Sequence, residues 1–303
     1  MKTGSRLETL LERGNFVLLA GLTPPASVDP ADFLSSAMKL KSSVDAVVVG
    51  DSPDANVGIS SLAGSSLLMR EGIEPVLEVN CRDRNRIAMQ SDVLGAAALG
   101  IENFLCRTGL HQQLGDYGSS RNVYDMDVVQ QVMLLRKIRD EKRLSNGGEI
   151  RGEPKLFIGV DDNPFGKLPE LGVILLSKKL AAGADFVRTT PVFDLEDFSE
   201  WLKQIEARES LRSAPIIAGV LPLKNPEAAR GLREFPGIQV PDALIRRMEG
   251  AENPEEEGMK IALEITERLK SQRGVRGLHF YAAGAEEMVA RVIERAGLLP
   301  RLF

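Results

Sequence analysis

Eight short apolar runs, separated by longer amphipathic stretches, restrict the fold of this chain more than any other feature. Most of these runs are rich in β-branched residues and are bounded by glycine, proline or polar residues. Near-continuous apolar runs of this kind are typical of strands buried on both faces, as in parallel sheets. The predicted strands are Phe16–Leu22, Asp45–Gly50, Pro75–Asn80, Asn103–Thr108, Leu156–Asp161, Asp185–Thr190, Pro215–Val220 and Gly277–Ala282.

The stretches between the runs carry apolar residues at three- and four-residue spacings, which predicts helices. One helix should begin near Asp83, a good N-cap residue, and end at Gly100, a good C-cap residue. Residues 127–143 and 254–272 show the same pattern. The second of these begins with three glutamates, which favour the positive end of the helix dipole.

Strict alternation of eight strands and helices predicts parallel strands joined by right-handed crossovers. Eight is also the number of strands that closes a barrel whose centre side chains can fill. We therefore expect an α/β protein with one (β/α)8 barrel domain over residues 1–303; an open doubly wound sheet is the rival topology. The long connections at 109–123 and 221–250 should lie on the catalytic face.

Charge and composition exclude several classes of protein. A net charge of -5 does not suit nucleic-acid binding, which needs a clustered basic face. No apolar run approaches the roughly 20 residues that span a bilayer, and the charged first residues do not resemble a signal peptide. Cys81 and Cys106 lie in or beside apolar runs, so we expect free thiols in a cytoplasmic protein, and no metal site.

General catalytic motifs such as GxGxxG, HExxH or GxSxG are absent, so function must be sought where the strands end. The segments TPP at 23–25, CRTGLH at 106–111 and GVLPLKN at 219–225 follow the first, fourth and seventh strands. Together with residues 80–106, 181–194 and 274–288, they resemble the methylenetetrahydrofolate reductase family. The resemblance covers nearly the whole chain and is greatest to the short forms that consist of the catalytic domain alone.

The resemblance implies a barrel that holds FAD over its strand ends. In the family, hydride passes from a reduced nicotinamide to the flavin and then to methylenetetrahydrofolate, which becomes methyltetrahydrofolate. By resemblance, the cofactor contacts are Gly50, Asn80, Arg107, Thr108, Gly109, Tyr124, Gly159 and Lys179. The folate contacts, likewise by resemblance, are Thr190, Leu221 and Phe280.

Four departures from the family pattern fall on the reaction site. Gly21 stands where the family has a glutamate that protonates the folate, and Leu110 stands where it has an aspartate. Thr190 stands where the family usually has a glutamine, and Glu78 stands where some members have a histidine. A proton donor contributes roughly 10²- to 10⁴-fold in rate, so its loss is important.

Other acids at the strand ends could take over the protonation. The candidates are Asp51, Asp161 and Asp162, for which helix capping and loop solvation are the alternative roles. His111 could act as a base, although a single loop histidine is more often simply exposed. His279 is expected to be a structural residue of the last strand.

Three functional hypotheses follow. The first is a flavin-dependent reductase of the family, with FAD, or FMN in its place, and with water or a substitute acid as proton source. The second is a degenerate member, with the flavin retained or lost, that binds folate or a partner subunit without reduction. The third is an altered reaction such as methyl transfer. The resemblance further implies an oligomer and an iron–sulfur and zinc partner subunit.

Overall fold

The eight strands close into a barrel in which each strand pairs in parallel with the next and the last pairs with the first. The structure is a computed structural model that describes residues 1–235, 237–282 and 284–301. The predicted (β/α)8 barrel is confirmed, as are all eight strands. They are β1 Val17–Leu22, β2 Ala46–Val49, β3 Pro75–Asn80, β4 Asn103–Arg107, β5 Phe157–Asp162, β6 Phe186–Pro191, β7 Ile216–Val220 and β8 Val275–Tyr281.

One helix precedes β1, and at least one helix follows each strand. The helices are α1 Arg6–Glu12, α2 Ala31–Leu40, α3 Ser61–Arg70, α4 Arg86–Ala98, α5 Val128–Glu141, α6 Pro169–Ala182, α7 Leu195–Glu206, α8 Pro226–Gly231, α9 Asp242–Glu249, α10 Pro254–Lys270 and α11 Glu286–Arg295. Helices α8 and α9 lie in the long connection after β7. Within the described ranges, no helix is both long and apolar enough to cross a membrane.

The ends of α4 and α5 show how well local sequence patterns predict where a helix begins and ends. Helix α5 begins at Asp127, which forms a capping box with Gln130. Helix α4 ends before Gly100, whose φ of +85° suits glycine. The predicted N-cap Asp83 is wrong, because the side chain of Asn85 caps α4 by accepting from Ile87 and Ala88. Asp83 pairs instead with Arg82.

The core has two layers. Inward-facing side chains of the strands form a separate cluster inside the barrel, and three leucines of α1, Leu7, Leu10 and Leu11, complete this cluster at the amino-terminal end. A larger cluster lies between the strands and the helices. The lower barrel is therefore filled, and any ligand of the barrel interior must approach from the carboxyl ends of the strands.

Candidate active site at the carboxyl end of the barrel

Four charged side chains from four consecutive strands meet at the upper end of the barrel. Strand alternation turns them inward, above the apolar interior. They are Glu78 of β3, Arg107 of β4, Asp161 of β5 and Arg188 of β6. Two acids and two bases make this mouth cluster neutral overall.

Arg188 is the centre of the mouth cluster and is only 2% exposed. Its Nε and Nη2 donate to the two carboxylate oxygens of Asp161, each at 2.8 Å, in a bidentate pair. The same Nη2 lies 2.8 Å from Oε1 of Glu78. A buried guanidinium needs such partners, because an unpaired buried charge would cost several kcal/mol.

Arg107 completes the mouth cluster from the more exposed side. Its Nε lies 2.5 Å from Oδ2 of Asp161, and its Nη1 lies 3.2 Å from Oε2 of Glu78. The side chains of Arg107 and Asp161 are 26% and 23% exposed, so this pair forms the solvent-facing surface of the cluster.

The mouth cluster fixes the protonation state of Asp161. Burial raises the pKa of this carboxyl, but the charges of Arg188 and Arg107 outweigh burial and hold the pKa below its usual value. Asp161 is therefore an anion near neutral pH, and this disfavours it as the proton donor.

Two aromatic residues of β8 close the other side. His279 is fully buried, and its Nε2 lies 3.4 Å from Nη1 of Arg188. Because arginine can only donate, Nε2 accepts and Nδ1 carries the proton. Burial, aided by the charges of Arg188 and Arg107, lowers the pKa of His279 well below its usual value, so the ring is neutral.

Tyr281 stands beside His279 and is also a poor acid. Its ring lies 5.4 Å from the guanidinium carbon of Arg188, and its hydroxyl donates to the carbonyl of Thr189 at 2.9 Å. Burial, opposed by Arg188, raises the pKa of Tyr281 to about 12. Neither aromatic residue offers an acidic proton near neutral pH.

Gly21 of β1 faces His279. A Cβ placed at Gly21 would lie 3.0 Å from both Cε1 and Nε2 of that ring. The imidazole therefore occupies the space that a side chain at position 21 would need.

A second polar cluster holds Asp51, which follows β2. Its carboxylate pairs with Arg84 at 2.6 Å and accepts from the backbone N–H of Asn80 at 2.9 Å and from the Asn80 side chain at 2.6 Å. Ser61 also donates to it. Asp51 and Asn80 thus tie the ends of β2 and β3 to each other, which gives both predicted site residues a structural role.

The loop after β4 is anchored by two contacts. Arg82 donates to the carbonyl of Leu110, and the phenol of Tyr124 donates to the carbonyl of Gly109 at 3.2 Å. Gly109 has a φ of +84°, and a Cβ there would come within 2.9 Å of Arg82. These contacts bring the predicted loop residues together beside Arg107.

In the loop after β4, Thr108 is exposed and Leu110 is half-buried. His111 is exposed and caps a short 3-10 helix at Gln112–Leu114, with its Nδ1 accepting from the N–H of Gln113. This contact supports the simpler reading of His111 as a loop residue.

Two predicted contacts lie away from the mouth. Phe280 points out of the barrel into the layer between strands and helices. Gly159 does face inward, but the ring of Phe186 lies 2.2 Å from where its Cβ would be. Strand alternation places Phe280 on the opposite face of β8 from His279. Because Phe280 and Gly159 both lie in packed core, the structure does not support the ligand contacts predicted for them.

The remaining predicted residues lie near the rim. Lys179 of α6 donates to the carbonyl of Asp161 at 2.5 Å and to Asp162 at 3.0 Å, so its ammonium is already engaged. Thr190 is half-buried and donates to Asn163 at 3.2 Å. Gly50 is buried where β2 ends, and Leu221 is half-buried beyond β7.

Sequence reasoning missed the centre of the cluster. Arg188 and Tyr281 were not among the predicted site residues, and Glu78 was noted only as a replacement. A usable signal was present, because four neighbouring predicted strands each carry a charged residue in the carboxyl-terminal half of the run.

Comparison with known proteins identifies the family. The family model of methylenetetrahydrofolate reductase matches residues 6–297. The chain belongs to this reductase family.

Curated relatives of the family share low identity with the chain. Methylenetetrahydrofolate reductase 2 of Schizosaccharomyces pombe is 24% identical over 273 residues, covering 87% of this chain and 41% of that protein. The 5,10-methylenetetrahydrofolate reductase of Salmonella typhimurium is 24% identical over 241 residues, covering 77% of this chain and 73% of the relative. The chain spans only 22% to 41% of the length of the yeast and nematode relatives.

Solved structures share the barrel. An uncharacterized protein from Clostridium thermocellum, which binds two copies of 5-methyl-5,6,7,8-tetrahydrofolic acid, has a TM-score of 0.66 at 13% identity and covers 97% of this chain and 100% of that one. A 2,3-dimethylmalate lyase has a TM-score of 0.53 at 15% identity, covering 100% of this chain and 91% of its own. At such identities the likeness shows the fold alone.

Proposed function

We propose that this member of the methylenetetrahydrofolate reductase family binds a tetrahydrofolate carrying a one-carbon unit at the mouth of its barrel. The observation that carries the proposal is the mouth cluster, which places a partly exposed guanidinium above a sealed apolar interior. The folate bound by the C. thermocellum barrel supports this ligand class.

Arg107 is the residue we assign to ligand contact. Its Nε and Nη1 are used by Asp161 and Glu78, which leaves the Nη2 edge for a ligand. The N–H groups of Nη2 can donate to an acceptor such as the carbonyl oxygen or a ring nitrogen of a pterin. Glu78 and Asp161 hold this edge in one orientation, so little side-chain entropy is lost on binding.

The reaction we assign first is the family's flavin-dependent reduction of methylenetetrahydrofolate to methyltetrahydrofolate. Family membership over residues 6–297 supports it. Ring opening of this substrate requires a proton on the departing nitrogen. Asp161 is held ionised, His279 is neutral and Tyr281 is a weak acid. The other candidate acids are engaged elsewhere, Asp51 with Arg84 and Asp162 with Lys179, so we assign water as the proton source.

The donor set at the mouth suits a flavin in chemical type. Arg107 and the exposed Thr108 hydroxyl would face the ring. Arg121, after β4, and Lys167, after β5, are exposed cations for which the described part of the chain shows no partner, and they would suit a diphosphate. A bound flavin would supply the hydride.

A visible absorption spectrum of the purified protein, followed by titration with methyltetrahydrofolate, tests this assignment. Flavin bands that bleach under anaerobic conditions on addition of methyltetrahydrofolate would support reversible reduction. A colourless protein that does not take up added FAD would rule out the flavin-dependent reaction. Failure to bind the folate would rule out the whole proposal.

A degenerate, folate-binding role without reduction is the second candidate. The observation that favours it is the imidazole of His279 in the space beside Gly21, because this ring leaves no room for an acid there. In this case methyltetrahydrofolate binds but exchanges no electrons with any flavin, and a partner subunit would complete the activity. The same titration separates the two candidates.

A further inference from the structure

The outward face of α6 is apolar. The exposed residues of this helix are Pro169, Glu170, Leu171, Ile174, Leu175, Lys178 and Ala181. The three central side chains, Leu171, Ile174 and Leu175, are 48%, 46% and 42% exposed. Other residues of the same helix, Val173 and Leu176, already fill the core beneath it.

This face differs from the outer faces of α7 and α10. The exposed residues of α7 and α10 are all charged, as expected for helices that face water. A contiguous apolar patch on a barrel side indicates a surface that another molecule covers. On the neighbouring helix α5, Met133 is 57% exposed and extends the patch sideways.

Charges at the two ends of the face indicate what covers it. Glu170 lies four residues before Ile174, and Lys178 lies four residues after it. At a rise of about 1.5 Å per residue, each charge stands about 6 Å from Ile174 along the helix axis. A second α6 running in the opposite direction would therefore place its lysine against this glutamate, and its glutamate against this lysine.

We propose that a second copy of this chain covers the α6 face, with the two α6 helices packed antiparallel across a two-fold axis near Ile174. The contact is isologous, since the same residues are used on both sides. Stable interfaces bury about 800 Å² on each partner, more than one helix face provides, so Met133 and its surroundings on α5 belong to the contact. A parallel pairing would set like charges against each other.

Sedimentation velocity over a range of concentrations tests the proposal on the full chain. The unmodified protein should be a dimer, and Ile174→Glu should be a folded monomer. Ile87→Glu is the matched control, because Ile87 is an isoleucine on α4 that is 73% exposed. This control should remain dimeric, and far-UV circular dichroism should show native helix content in both variants.

A charge exchange tests the antiparallel register. Either Glu170→Lys or Lys178→Glu alone should raise the dimer dissociation constant about fivefold or more, because like charges then meet twice across the axis. The double variant should restore the original constant. A wild-type monomer, a dimer that Ile174→Glu leaves intact, or a double variant as weak as the single ones would each overturn the proposal. If the α6 face binds only a different protein, the wild type would be a monomer, which is the first of these contradicting results.

Discussion

The imidazole of His279 lies where a side chain at position 21 would project, 3.0 Å from a Cβ placed on Gly21. The ring is held there by Arg188, which donates toward its Nε2. Gly21 on β1 and His279 on β8 therefore pack against each other as one unit. The two strands are neighbours, with Gly21 paired to Tyr281 and Leu19 paired to His279. Restoring an acid at position 21 requires removal of the ring.

Gly21→Glu alone should destabilise the protein by about 1 to 3 kcal/mol, because the new side chain is forced against a buried ring. Urea unfolding measures this change in free energy. Gly118→Glu is the matched control, since a Cβ at Gly118 meets no atom within 4 Å, and it should change stability by less than about 0.5 kcal/mol. Equal effects of the two variants would contradict the packing of His279 against Gly21.

Gly21→Glu combined with His279→Ala should recover most of the stability lost by the single variant. Adding Leu110→Asp then supplies both acids that the family resemblance places at the reaction site. If only the proton donor is missing, this triple variant should gain about 10²-fold or more in methylenetetrahydrofolate reduction. Steady-state turnover with added flavin and a reduced nicotinamide measures it. No gain in a folded triple variant would favour the non-reducing role.

The sequence was sufficient for the barrel but not for its mouth. Eight apolar runs predicted every strand, because burial on both faces leaves a strong local pattern. The pairing of Arg188 with Asp161 and Glu78 joins residues that are distant along the chain, and no local pattern reports which charges will meet. The packing of His279 against Gly21 was hidden for the same reason.

Arg188→Met should cost about 3 to 5 kcal/mol, because the buried Glu78 and the partly buried Asp161 both lose a partner. The pH profile should also change. The pKa of Asp161 is held below its usual 3.8, so its contribution to stability is present above that value and is lost as the pH falls below it. In the variant, Asp161 no longer has Arg188 to lower its pKa, so this acid-dependent loss should be smaller.

Urea unfolding at a series of values from about pH 7 to pH 3 measures both effects. Lys203→Met, at a lysine whose side chain is 72% exposed, is the control and should follow the wild type. An unchanged acid limb in Arg188→Met would contradict the ionised state assigned to Asp161.

Glu8 should give a second pH-dependent contribution, at the other end of the barrel. Its carboxylate accepts from the backbone N–H groups of Lys2, Thr3 and Gly4 and from the Thr3 hydroxyl. Although burial raises the pKa of Glu8, these hydrogen bonds lower it to about 2 from 4.5. The stabilisation is full above the usual value and is lost as the pH falls through about 2.

Glu8→Gln should therefore cost about 2 to 3 kcal/mol near neutral pH and much less in strong acid. Urea unfolding at both pH values measures it, and Glu12→Gln, at a side chain that is 49% exposed, is the control. A pH-independent cost would show that packing, rather than charge, explains the effect. Helix α1, which this contact anchors, was not predicted from the sequence, although Leu7, Leu10 and Leu11 have the three- and four-residue spacing of a helix.

Isothermal titration of the purified chain with methyltetrahydrofolate tests most directly whether the barrel mouth is a folate site. We expect saturable binding at one class of site, with Arg107→Met weakening it about tenfold or more, as for the loss of a charge-assisted hydrogen bond. Arg273→Met, at an arginine whose side chain is 91% exposed far from the mouth, should bind as the wild type does. Absence of binding by the wild type, or equal binding by a folded Arg107→Met variant, would contradict the account.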